Sequence, residues 1–99
     1  MEIETFDNVW DAIEDDPAEA ERMKLLSQMM IMLREHITAQ GWTQAEAARR
    51  LGVTQPRISD LMRGKINRFS IDALVTLLTA AGIRLEVRAR AAASLKVTA

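Results

Sequence analysis

Two helix starts stand eleven residues apart at Thr43 and Thr54, each followed by a glycine where its helix can stop, and very few folds accept that spacing. Thr43 and Glu46 form a capping box, in which hydroxyl and carboxylate each satisfy an unpaired backbone donor at a helix start. The helix runs through Ala47, Ala48 and Leu51 and stops at Gly52, which adopts positive φ without steric cost. Thr54 caps the next helix, Pro56 is tolerated in its first turn, and Gly64 ends it. Ala48 falls where two such helices cross closely and a larger side chain would separate them. Val53, Ile58 and Leu61 lock the second helix onto the first, with Met62 also inward.

On the amino-terminal side, Pro17 suits a first helical turn, with Glu19 and Glu21 near its positive end. That helix is predicted from about Ala18 to Ala39 or Gln40, with Gly41 as its C-cap. Leu26, Met30, Leu33 and Ile37 form one apolar stripe. Leu25, Met29 and Met32 form a second, about 100° away at 3.6 residues per turn. The second stripe needs a cover: the segment around Phe6, Val9, Trp10 and Ile13, which has the spacing of a short amphipathic helix, the same segment of a second subunit, or another protein. On the carboxyl-terminal side, Ser70 caps a helix with Ile71, Leu74, Val75 and Leu78 on one face, closed by Gly82.

Beyond Gly82, Ile83, Leu85 and Val87 alternate with Arg84, Glu86 and Arg88, the pattern of a half-buried strand. No comparable run exists in the body, so the strand is expected to pair with a twofold-related copy, making Ile83, Leu85 and Val87 a dimer interface. The expected architecture is mainly α: five helices, an acidic helical arm first and one short C-terminal β-strand last. The divisions are residues 1–21 as arm, 22–88 as domain and 89–99 as an alanine-rich tail expected to fray.

The net charge of −1 conceals a division. Residues 1–21 hold nine acids and no Lys or Arg, whereas the remainder carries 13 basic side chains against 5 acids, a net of +8. Such asymmetry suggests a body that meets a polyanion and an arm that stays off it or meets something basic. No cysteine occurs, which removes disulfides, thiolate metal sites and cysteine nucleophiles. With no long apolar run and no basic, apolar leader, the expectation is a cytoplasmic protein with no membrane contact.

The 43–64 pattern has the geometry of a helix-turn-helix, in which the second helix enters a DNA major groove while the first crosses the backbone. TQAEAARRLGVTQPRISDLMRGK resembles the phage-repressor-like (Xre) helix-turn-helix family, and the similarity extends to about Gly82. Once Ile58, Leu61 and Met62 turn inward, the second helix leaves Gln55, Pro56, Arg57, Ser59, Asp60 and Arg63 outside. Gln can bond adenine, Arg guanine, and an acid can accept from cytosine. The resemblance places Gln55, Pro56, Ser59 and Asp60 at base-facing positions, with Arg57 on a base or a phosphate. Asp60 departs from the family pattern, because an acid repels phosphate. Gln44 at a helix start, and Arg63, Lys65, Asn67 and Arg68 after the reading helix, are the phosphate-contact candidates.

Other chemistry finds little material. His36 is the only histidine and lacks a neighbouring nucleophile in sequence; Glu14, Asp15 and Asp16 lack the spacing of a calcium loop; no phosphate-binding glycine loop occurs. Neither an enzyme nor a cofactor is expected. The segment FDNVWDAIEDDPAEAERMKLLSQMMIMLREHI, with the closing IRLEVR, resembles the HigA-type antitoxins of toxin–antitoxin operons. That resemblance implies a homodimer on a double-stranded operator and a small basic ribonuclease toxin as partner; Phe6, Val9, Trp10 and Ile13, apolar anchors among acids, are the expected partner surface unless they cover the chain's own second stripe. An orphan repressor without a toxin, and a protein-interaction module that has lost DNA binding, are the alternatives.

Overall fold

In the computed structural model the described residues are 16–91. They form four α-helices: α1 (Pro17–Gln40), α2 (Gln44–Leu51), α3 (Gln55–Met62) and α4 (Ile71–Ala80), with a 3-10 turn at Ile66–Arg68 between the last two.

Each helix begins where a short polar side chain can cap it. Asp16, Thr43, Thr54 and Ser70 accept from the backbone N–H groups of Glu19, Glu46, Arg57 and Ala73 at 3.2, 3.1, 3.4 and 3.0 Å. The capping box at Thr43 is half-made. The carboxylate of Glu46 turns along the helix instead, to Arg49 Nη2 at 2.6 Å and to Arg50 Nε. At the far end of α1, Gly41 takes φ 70°, and its N–H and that of Trp42 close the helix on Thr38 and Ile37 carbonyls.

The core is one cluster. Leu26, Met29, Met30, Leu33 and Ile37 of α1 pack on Leu74, Leu77 and Leu78 of α4, so the first and last helices hold each other. Ala47, Ala48 and Leu51 of α2, Ile58 and Leu61 of α3, and Phe69 complete it. No polar or charged side chain is buried among the described residues. Ala47 and Ala48 are both buried at the close approach of α2 to α3, as their size requires.

Three expectations are corrected. The architecture is four helices without a strand among the described residues, not five with one. The first of the five, around Phe6–Ile13, lies outside the described residues. At 83–88 the alternation is real but serves burial rather than pairing: Ile83 and Leu85 pack on the core, Ile83 N–H donates to the Leu78 carbonyl at 2.9 Å, and Val87 is 92% exposed. One extended segment with no neighbouring strand among the described residues has nothing there to ladder with. The second stripe of α1 divides, Met29 being buried while Leu25 and Met32 remain 43% and 38% exposed. On α4, Leu77 turns inward and Val75 is exposed, because α1 meets a face centred between Leu74 and Leu78.

Candidate nucleic-acid interface

The turn between α2 and α3 is made by Gly52 at φ 73°, with its own N–H and that of Val53 donating to the Ala48 carbonyl. With Ile58 and Leu61 fully buried, α3 has one rotational setting on the body, and Gln55 and Pro56 stand exposed at its amino-terminal end. Ser59 follows half-buried, one turn along. Gln44 is exposed at the start of α2, beside the free N–H groups of a helix terminus.

The carboxyl-terminal end of α3 gathers the cations. Gly64, at φ 73°, reverses the chain, and the 3-10 turn brings Lys65 and Arg68 back alongside the helix, with Arg63 and Asn67 exposed. Asp60 is held between two of them: its Oδ2 lies 3.4 Å from Arg68 Nη1 and its Oδ1 3.9 Å from Lys65 Nζ. The acid that looked out of place against phosphate thus sits among its own counter-charges. Arg57 is engaged as well. Its guanidinium lies 4.2 Å from the Phe69 ring centroid and donates to the Arg68 carbonyl at 2.8 Å.

Two residues near this surface escaped the sequence reading. The Arg34 guanidinium, from the carboxyl-terminal third of α1, reaches Gly64, where an added Cβ would lie 3.5 Å from its Nη1. Its distance along the chain left no local signal. Trp42 carries the Arg50 guanidinium 5.0 Å from its ring centroid and meets the edge of His36 at 5.5 Å, fastening the end of α1 to α2. His36 is therefore a packing group at the rim. The Glu46 carboxyl is held below its ordinary value, first by the hydrogen bond from Arg49 and then by that from Arg50. Among the described residues no acid or histidine cluster could hold a metal ion. None of their helices is long and apolar enough to cross a membrane.

A short helix braced by its predecessor, turned outward by two buried residues and followed by a basic turn, defines the helix-turn-helix class. A family model described as a helix-turn-helix domain matches residues 12–90. A solved structure named as an XRE-family transcriptional regulator superposes with a TM-score of 0.69 at 33% identity, covering 76% of this chain and 84% of its own. No curated protein matches the chain. The chain belongs to the helix-turn-helix family, of XRE type.

Proposed function

We propose that this protein is a sequence-specific DNA-binding transcription regulator that acts as the antitoxin and autorepressor of a HigBA-type toxin–antitoxin operon. The observation that carries the DNA-binding reading is the outward face of α3, where Gln55 and Pro56 are exposed and Ser59 is half-buried one turn along, with exposed Gln44 at the start of the preceding helix and the Lys65–Arg68 turn after it. The regulator named in the structural match supports it. In this reading the buried side of α3 sets its angle, Gln55 and Ser59 meet base edges, Pro56 offers shape, and Gln44, Arg63, Lys65, Asn67 and Arg68 take phosphates.

The dimer rests on a second surface. Val75, Ile83 and Leu85 line an open groove beside exposed Val87, and a second copy laid over this face would bury it. Two reading helices would then meet half-sites about 34 Å apart, or a multiple of that. The antitoxin role rests on the charge division and the resemblance of the amino-terminal segment, with Phe6, Val9, Trp10 and Ile13 as anchors for a basic toxin.

Binding to the protein's own upstream DNA, followed by fluorescence anisotropy against a random duplex, tests the first claim. A specific affinity at least about a thousandfold above random is expected; equal affinities would refute it. Deleting residues 1–15, which leaves the Asp16 cap of α1 in place, should keep operator binding and abolish capture of a basic protein encoded by the neighbouring gene. A truncated chain that still captures that protein would refute the toxin-binding assignment.

A further inference from the structure

The arginine in the middle of the reading face is occupied. Arg57 leaves α3 one turn before Asp60, and its guanidinium turns to the segment that follows the helix, its Cζ over the Phe69 ring at 4.2 Å from the centroid and Nη1 donating to the Arg68 carbonyl at 2.8 Å. Phe69 is itself buried in the core, so the ring is a fixed platform. Asp60 makes the second tether to the same segment, through Lys65 and Arg68. Between the two tethers runs the 3-10 turn that carries Lys65, Asn67 and Arg68; its start is fixed by Lys65 N–H on the Asp60 carbonyl and by Ile66 packed on the core, whereas its far end, at Asn67 and Arg68, has only the local backbone bonds of Arg68 N–H to Lys65 and Phe69 N–H to Ile66.

We infer that Arg57 is a positioning residue, which fixes the 65–68 turn against α3 so that Lys65 and Arg68 stand ready for the DNA backbone, and that base reading falls to Gln55, Pro56 and Ser59. The inference rests on the DNA-binding reading and deepens it. Arg57 is suited to the task in a way lysine is not. A planar guanidinium stacks on a ring face and keeps N–H groups in its plane for a carbonyl, whereas an ammonium is a compact point charge. A side chain so engaged would have to give up both contacts to reach a base. Its contribution instead passes through Arg68, whose carbonyl it holds and whose guanidinium meets Asp60.

Three roles for Arg57 separate in one experiment on the full chain: anisotropy titrations of Arg57→Ala, Arg57→Lys and Gln55→Ala with operator and random duplexes over a range of salt. As a positioning residue, Arg57→Ala weakens both duplexes by the same factor, about three- to tenfold given one stacking contact and one hydrogen bond. It leaves the log–log salt slope unchanged, and Arg57→Lys does not rescue it. A phosphate contact would instead lower the slope by about 0.9 and be largely restored by lysine. A base contact would weaken the operator alone, as expected of Gln55→Ala. Either of those results overturns the assignment.

A second readout needs no DNA. Amide hydrogen exchange at Arg68 and Phe69 in the free protein should rise in Arg57→Ala while exchange in α1 and α4 stays as it was. Unchanged protection at Arg68 and Phe69 would overturn the inference even if DNA binding fell. Phe69→Leu keeps apolar bulk in the core and removes the ring face. It should weaken both duplexes as Arg57→Ala does, and the double variant should be no weaker than either single; additive losses would count against a shared brace. If the wild-type protein bound both duplexes equally, the DNA-specific reading would fail, while the exchange measurement would still decide whether the brace exists.

Discussion

Replacing Gly52 with alanine separates backbone strain from crowding. Gly52 holds φ at 73°, and a Cβ built there meets nothing within 4 Å. The cost of Gly52→Ala is therefore conformational: an L-residue in the left-handed region loses about 1–2 kcal/mol, and the stiffer unfolded chain returns about 0.4–1. A net destabilisation of about 1 kcal/mol follows, which for a domain of 60–100 residues lowers Tm by about 4–8 °C. Circular-dichroism melts and urea titrations on wild type, Gly52→Ala and Gly52→Asn would measure it. Asparagine tolerates the left-handed region better and should recover part of the loss. An alanine variant as stable as wild type, or an asparagine variant no better than alanine, would refute the reasoning. The turn also sets the angle between α2 and α3. An alanine that relieves its strain by rotating φ would tilt the reading helix, and operator affinity should then fall by more than the stability does.

Other perturbations address other parts of the molecule. Arg68→Ala should weaken binding to every duplex and reduce the salt slope by about 0.9, readable in anisotropy titrations. It also frees Asp60 from its closer ion pair, so random DNA should suffer no less than the operator. Leu33→Ala removes a fully buried side chain from the α1–α4 contact and should cost about 3–5 kcal/mol in urea unfolding. Because the Glu46 carboxyl is lowered from its ordinary 4.5, its contribution is present above pH 4.5 and lost as pH falls through the lowered folded value. Glu46→Gln should accordingly melt earlier than wild type at pH 7, with the difference closing as the pH is taken below 4.5.

The helix ends were legible because each rests on a local device. Pro17, Thr43, Thr54 and Ser70 mark starts, and Gly41 and Gly52 mark stops, within a residue of where they occur. The inward faces of α2 and α3 were legible because Ala48, Ile58 and Leu61 are buried on the sides that a short helix pair joined by one glycine turn must close. Patterns whose outcome depends on distant chain were read less well. Alternation at Ile83–Val87 describes which side chains are apolar, and a core can absorb such a pattern as readily as a sheet. Val75 and Leu77 exchanged places because the axis of α1, not the periodicity of α4, decides which side of α4 is covered. Arg57 and Asp60 have the chemistry of base readers. Their contacts within the chain, Arg57 with Phe69 and Asp60 with Lys65 and Arg68, depend on the return of the chain at Gly64 and the burial of Phe69, and neither leaves a mark within α3 itself.

The pairing of the first helix with the last has a temporal side. During synthesis α1 is complete at Gln40, yet the α4 surface that covers Leu26, Leu33 and Ile37 arrives only with Leu74 to Leu78. At roughly 5–20 residues per second the interval is on the order of two to eight seconds. Within it every residue proposed to touch DNA is made, before the helix that completes its support. A chain severed between Arg68 and Leu74, by a protease or a premature stop, would keep the whole reading surface and lose the helix that holds it still. On the proposed reading, competence to bind DNA thus waits on a helix that supplies none of the proposed contacts, and it comes late.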